Sequence, residues 1–430
     1  PEPAAELGPR ESASEIIRAI LGLTSLFALA YLGGHRKVQQ IEKRLRISHL
    51  VTAGLPFVIL GAVAHLPSVG ILSDAMLWQI RPLLPIGLGW IGFTVGFRFD
   101  ARLVESLAPG MGTFGILSAA LPAAIIIGFC GILLVATEGS WRSAVFLRDA
   151  LILGTAGAMT ARSAPVLLQT RGVADGAVDR VWSIVQVEQL AGVVGLMLTA
   201  AYFRPQGAAV AWQLPGTAWL FITLGMGTTI GGVIYATLGK VKRGPEFSLL
   251  ILGSVAFTAG IASFLRLSPL VVCFIAAVIL ANLPGHSREP VRKALLGLER
   301  PIYLLFLVIA GSLWKLSAWQ GWALMGLFVL ARLVGKWLAV SVWRRGTLND
   351  LGTEEKRSRV FSPRGALSIA ISISAQDLYF SATVSWMLTA VIGGAIVTEL
   401  IVQMSHRPRP GVQGGAEESE RSGQPAEAVL

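Results

Sequence analysis

The chain has 430 residues, of which 53% are hydrophobic and only 14% are charged. Because a soluble globular protein is about 25% charged, this composition excludes a soluble enzyme and indicates an integral membrane protein. The formal net charge of +11 comes without any nucleic-acid-binding motif, so we expect no nucleic-acid partner.

Apolar runs long enough to cross a bilayer recur along the whole chain. A membrane-spanning helix needs about 20 mainly apolar residues. Runs separated by charged residues, prolines and glycines predict an all-α integral membrane fold of about 13 transmembrane helices. The predicted spans are 14–32, 49–67, 83–98, 113–136, 149–170, 179–203, 216–238, 247–264, 269–284, 301–316, 320–343, 362–380 and 383–403.

The domain organisation follows from these spans. Residues 1–13 are expected to be a flexible N-terminus, residues 14–403 form the transmembrane domain, and residues 404–430 are predicted to be a disordered tail. Both ends are polar and rich in proline, glycine and glutamate, a composition that buries too little apolar surface to fold.

The loop charges predict the orientation. Most of the 36 lysines and arginines lie in alternate loops on one side of the predicted membrane. By the positive-inside rule this side is cytoplasmic. We therefore expect a multi-pass protein of the bacterial inner membrane, with the N-terminus outside, the C-terminus cytoplasmic and the bilayer as its surroundings.

Two groups of five spans, in about residues 49–203 and 269–403, suggest an internal repeat. In each group the fourth span is interrupted by polar, proline or glycine residues, at 160–165 and at 362–365. Paired interruptions at matching positions indicate an inverted-repeat transporter with two broken crossing helices.

Four ionisable residues fall deep inside predicted spans: Glu188, Arg332, Lys336 and Arg162. Charged groups at the bilayer centre are costly and are usually paired or functional. One interpretation is an ion site, in which Glu188 exchanges a proton for a cation and a basic residue competes with that cation. The other is a permanent structural ion pair between Glu188 and Arg332.

Two further acidic residues, Asp149 and Asp377, lie near span ends and are expected to be solvated. The sequence contains no nucleophile elbow, phosphate-binding loop or metal-ligand cluster. We therefore expect no enzymatic activity and no cofactor.

Several short motifs resemble a known family. They are RLRIS at 44–48, GFTVGFRFD at 92–100, LSPL at 267–270 followed by AN at 281–282, and PRGALS at 363–368. In this order and spacing, over about residues 40–403, the chain resembles the monovalent cation:proton antiporter superfamily, which includes bacterial sodium/proton antiporters and potassium-efflux proteins.

The resemblance implies a secondary-active transporter, a homodimer, that exchanges a monovalent cation (Na+ or K+) for a proton by alternating access. It implies an ion- and proton-binding group at Glu188, with neutral oxygen ligands from Gln189, Thr160 and Ser163. The charge partners that it implies are Arg332, then Lys336, with Arg162 at the first break.

The chain departs from the family pattern at two positions. Ala164 stands where the family has an acid in its first broken helix, and Gln189 stands where it has its second aspartate. These departures leave two alternatives open. One is a non-transporting membrane scaffold or partner-regulated sensor, and the other is an anion carrier that uses the three buried cations.

Overall fold

The computed structural model describes residues 55–66, 77, 81–99, 110–138, 144–161, 164–165, 175–205, 212, 214–239, 245–284, 288–314, 318–343, 360, 362, 365–379 and 381–404. Within these ranges the regular secondary structure is entirely helical. The twelve described helices are α1 (Leu55–Ala64), α2 (Leu83–Gly96), α3 (Met111–Glu138), α4 (Ala144–Ala158), α5 (Asp175–Tyr202), α6 (Gly216–Leu238), α7 (Pro245–Phe264), α8 (Pro269–Asn282), α9 (Arg288–Ser312), α10 (Trp319–Trp343), α11 (Ala366–Tyr379) and α12 (Ala382–Met404).

These helices fall on the predicted spans, and the first predicted span, 14–32, lies outside the described residues. Six described helices are long and apolar enough to cross a membrane, or seven if the two parts of α9, which meet at a 41° bend beside Pro301, count as one span. Helices α2 and α8 are shorter apolar helices. The total of thirteen crossings therefore stays a prediction.

Two helices depart from the predicted boundaries. Helix α4 ends at Ala158, well before the predicted end at residue 170, and residues 159–161 are not helical. Helix α9 begins at Arg288, before the apolar run that starts at residue 301, because its first half is amphipathic and packs Val291, Ala294 and Leu295 against other helices.

The short helices α2 and α8 pack backbone against backbone. A Cβ atom added to Gly92 would lie 2.1 Å from the carbonyl oxygen of Leu270, and one added to Gly96 would lie 2.3 Å from that of Phe274. Small residues that allow such close approach are typical of helix packing in membranes. Because α2 is buried on nearly every side, its sequence is apolar all round rather than amphipathic.

The helices form two bundles. Helices α3, α4, α5, α10, α11 and α12 contact one another extensively, and we call them the core bundle. Helices α1, α2, α6, α7, α8 and α9 form a second group, the panel. The main contacts between the bundles are those of α11 with α2 and α8, and of α5 with α6 and α8.

The contacts also come in related pairs. Helix α1 packs against α9 as α2 packs against α8, and α4 packs against α12 as α5 packs against α11. Each of these pairs joins one helix from the first group of five predicted spans to one from the second group.

Candidate functional site

A buried ion pair joins helices α5 and α10 in the core bundle. The Nζ atom of Lys336 lies 2.6 Å from Oε1 of Glu188 and donates a hydrogen bond to it. Both residues are about 2% exposed. Two opposite charges so fully removed from water are held together by strong electrostatic attraction, but both depend on each other for compensation.

Helix α3 supplies further polar atoms beside this pair. The hydroxyl of Ser118 donates a hydrogen bond to Oε1 of Glu188. Lys336 Nζ in turn donates to the Ser118 carbonyl oxygen at 3.1 Å and approaches the Ser118 hydroxyl oxygen at 3.4 Å. The ammonium group is thus in contact with oxygen atoms of Glu188 and Ser118.

The second carboxylate oxygen of Glu188 has no partner. Oε2 is buried and accepts no hydrogen bond. A buried carboxylate oxygen without a donor costs free energy, so Oε2 is an uncompensated polar atom of this ion pair.

The sequence-based expectation that Glu188 pairs with Arg332 is wrong. Lys336 lies one helical turn from Arg332 on the same face of α10, and it is the lysine that reaches Glu188. Arg332 makes no ion pair with Glu188, because its guanidinium donates to other oxygen atoms instead.

Arg332 instead binds the backbone at the end of α4. It is 1% exposed and donates to the carbonyl oxygens of Gly157 (3.0 Å), Met159 (3.2 Å) and Ser362 (3.0 Å), and to the Ser362 hydroxyl (3.1 Å). The last carbonyls of a helix lack intrahelical donors and carry partial negative charge. Arg332 therefore compensates the carbonyl oxygens at the end of α4.

The non-helical residues after α4 meet those before α11. The hydroxyls of Thr160 and Ser362 lie 3.2 Å apart, and the Ser368 hydroxyl donates to the Ala156 carbonyl at 2.5 Å. At Gly365 an added Cβ would lie only 3.2 Å from the Cα of Ala161. The described residues of the two predicted interruptions thus lie side by side, next to the first turn of α11.

The remaining predicted site residues lie in different places relative to Glu188. Gln189 is buried on α5 at 4% exposure, next to Glu188 in sequence but on another face of the helix. Thr160 contacts the segment before α11 and makes no hydrogen bond to Glu188. Arg162 and Ser163 lie outside the described residues. Ala164, at the position of the family's acid, is buried.

Asp149 and Asp377 are buried rather than solvated, which corrects the expectation from the sequence. Asp149 is 1% exposed, pairs with Arg148 at 2.6 Å and accepts a hydrogen bond from the Thr383 hydroxyl at 2.7 Å. Asp377 is 8% exposed. Span ends packed against neighbouring helices are shielded from water, which position along the chain alone does not reveal.

Charged and polar groups bridge the core bundle and the panel at the end where α5 and α11 finish. The guanidinium of Arg81, just before α2, lies near the carboxylate of Asp377 on α11. Burial lowers the pKa of Arg81, and the negative charge of Asp377 offsets part of this shift. Arg204, just after α5, donates to the Leu265 carbonyl at 3.2 Å. The hydroxyls of Ser268 and Ser374 lie 2.9 Å apart. We call these contacts the bridging cluster.

Comparison with solved structures identifies the fold. The chain is similar to the sodium proton antiporter MjNhaP1 from Methanocaldococcus jannaschii in its structure at pH 8, with 14% sequence identity, a TM-score of 0.63, and coverage of 90% of this chain and 99% of that one. A second structure of the same antiporter, an electron microscopy map, gives 15% identity, a TM-score of 0.59, and coverage of 91% and 99%. No protein-family model and no curated protein sequence matches the chain.

Proposed function

We propose that this chain, which has the fold of a sodium proton antiporter, is a secondary-active transporter that exchanges a monovalent cation, Na+ or K+, for protons by alternating access. The observation that carries the proposal is the buried Glu188–Lys336 pair with its unsatisfied carboxylate oxygen. A buried carboxylate costs free energy. This cost is explained if the carboxylate serves to exchange one counter-ion for another.

The exchange works by competition for the Glu188 carboxylate. In the present arrangement the protonated Lys336 amine neutralises it. When a cation binds to the carboxylate, the ammonium loses its attraction, moves away and releases its proton to water as it becomes a neutral amine. Release of the cation on the other side of the membrane lets Lys336 take up a proton and pair again, so one cation and one proton move in opposite directions.

The two bundles supply the movement that alternating access needs. The core bundle carries Glu188, Lys336 and the Arg332-capped crossing as one unit, and it moves against the panel. By the positive-inside distribution, the bridging cluster faces the outside of the bacterial inner membrane. Its contacts hold the two bundles together at that end, so this conformation is closed towards the outside.

The internal repeat and the homodimer belong to the same proposal. Repeats of about residues 49–203 and 269–403 account for the related helix contacts and for the two interruptions that meet beside Arg332. They would form two broken crossing helices. The panel would carry the dimer interface, because its helices lie away from the moving core bundle.

The anion carrier is the weaker alternative. Within the described spans, the buried cations Arg332 and Lys336 already have oxygen partners, the first from backbone carbonyls and the second from Glu188 and Ser118. Neither is available to an anion. The non-transporting scaffold is favoured by the loss of acids at Ala164 and Gln189 and by the excess of buried cations, but it does not explain the unsatisfied oxygen of Glu188.

Transport in proteoliposomes tests the proposal. An inward gradient of NaCl or KCl should drive proton efflux, and Glu188→Gln should abolish it, since an amide neither carries a proton nor binds a cation strongly. The matched control is Glu246→Gln on α7, where the carboxylate is exposed, and it should transport like the unmodified protein. Equal flux in the Glu188→Gln variant would refute the role of this carboxylate.

A further inference from the structure

A proline inside helix α3 exposes a backbone oxygen in the middle of the core bundle. Pro122 lies within the 28-residue helix, and proline has no N–H to donate to the carbonyl four residues before it. That carbonyl belongs to Ser118. It has therefore lost its normal helical hydrogen bond, at a turn of α3 that faces the Glu188–Lys336 pair.

The freed carbonyl is occupied by the ammonium group. Lys336 Nζ donates to it at 3.1 Å, and neighbouring glycines allow the helices to come this close. A Cβ added to Gly335 would lie 2.5 Å from the Cα of Pro122, and one added to Gly115 would lie 2.7 Å from the Cβ of Val187. The backbone of α3 is thus packed tightly against both α10 and α5 at this level.

We propose that Ser118, through the carbonyl released by Pro122 and through its hydroxyl, completes an oxygen cradle with Glu188 that binds the transported monovalent cation when Lys336 withdraws. This proposal rests on the antiport function above. The atoms are those that now surround the ammonium, Ser118 O, Ser118 Oγ and Glu188 Oε1, together with the unsatisfied Oε2.

The composition of the cradle determines the class of ion. It has one carboxylate and neutral oxygens, whereas a divalent cation such as Ca2+ takes six to eight oxygen ligands, usually including several carboxylates. An ammonium group is itself a monovalent cation, so a site that holds it with oxygens suits an alkali cation of similar charge. A backbone carbonyl held by packing is a ligand type that channels also use to replace the hydration shell of alkali cations.

Two variants separate the contributions of Ser118. Pro122→Ala restores the N–H and ties the Ser118 carbonyl back into the helix, while it keeps the Cβ atom that packs near Gly335. Ser118→Ala removes only the hydroxyl. Ser341→Ala is the matched control, because Ser341 lies on α10 with an exposed hydroxyl bonded only to its own helix. Since alanine is the best helix former, Pro122→Ala should fold.

The measurement is the apparent KM for NaCl and for KCl in proton-flux assays with proteoliposomes. Each variant should raise the KM by roughly tenfold, as expected for one lost contact with a charged group, and the maximal rate should change less. Ser341→Ala should leave both values unchanged. Unchanged KM values in both Pro122→Ala and Ser118→Ala would overturn the cradle while leaving antiport intact.

A binding measurement keeps the cradle testable if the protein does not transport. In a Lys336→Ala variant the ammonium is gone, and NaCl or KCl, but not choline chloride, should raise the melting temperature in a saturable way. Adding Pro122→Ala should raise the salt concentration needed for half the effect by roughly tenfold. No flux in the unmodified protein would refute antiport, whereas no alkali-specific rise in Lys336→Ala would refute the cradle.

Discussion

Breaking the Glu188–Lys336 pair from one side should be much more harmful than removing both charges. Lys336→Met leaves the Glu188 carboxylate buried at 2% exposure with a single hydrogen bond, from Ser118. Removing one partner of a buried pair typically costs about 3–5 kcal/mol, because the remaining charge has lost its compensation. In the double variant with Glu188→Gln no net charge remains, and the loss should be smaller than the sum of the single losses.

The assay is a double-mutant cycle on the free energy of unfolding, measured for the detergent-solubilised protein by titration with a denaturing detergent. The matched control is the pair Arg98–Glu299, which has a similar N–O distance of 2.8 Å but side chains that are 37% and 34% exposed. For such a pair solvent screening limits the coupling to about 1 kcal/mol or less. The buried pair should give a coupling energy several times larger.

One result would refute this reasoning. If Lys336→Met and Glu188→Gln destabilise the protein additively, with a coupling no larger than that of Arg98 and Glu299, then the two charges do not compensate each other. The competition mechanism would lose its basis, because a cation would gain nothing by displacing the ammonium.

The remaining predictions concern the structure around the site. Arg332→Lys keeps the charge but loses the planar guanidinium that binds several carbonyls and the Ser362 hydroxyl at once. We therefore expect a loss of about 3 kcal/mol in the free energy of unfolding and a lower transport rate. Unchanged stability would contradict the role of Arg332 as a cap on α4. At Gly61 an added Cβ would lie 2.0 Å from the carbonyl oxygen of Val308, so Gly61→Ala should cost about 1–3 kcal/mol through overpacking. Gly128→Ala, where the added atom meets nothing within 4 Å, is its control, and equal unfolding free energies for these two variants would contradict the close packing of α1 and α9.

The sequence predicts that Glu188 is buried, but it does not predict which residue pairs with it. Its depth follows from its place within a long apolar run, because a helix rises regularly along its axis. Its partner does not follow in the same way. Arg332 and Lys336 share a helical face, and which of them reaches α5 depends on how α10 lies against its neighbours.

The sequence does not single out Ser118, for a related reason. A serine within an apolar helix is common and carries no signal of its own. The signal that was available is Pro122, four residues later, which predicts an unsatisfied carbonyl at Ser118. That the carbonyl faces an ammonium group depends on two other helices, α5 and α10, which lie far away in the sequence.

The burial of Asp149 and Asp377 shows a limit of the same kind. Both lie at span ends, where a linear view predicts water. In the folded chain Thr383 and Arg148 cover the first carboxylate, and packing between the core bundle and the panel covers the second. Apart from Arg148, the groups that provide this shielding are distant in sequence: Thr383 is 234 residues from Asp149, and α11, which carries Asp377, packs against α2 and α8.

The sequence by itself predicted the helical membrane class, nearly all described helix positions from residue 55 onwards, and the burial of Glu188, Arg332 and Lys336. These properties depend on local hydrophobicity and regular helical rise, and neighbouring residues carry that information. Only the tertiary structure decided that Lys336 holds Glu188, that Arg332 caps the end of α4, and that Ser118 faces both charges. These contacts join residues separated by up to 218 positions in the sequence, and a difference of one helical turn in packing is enough to exchange one partner for another.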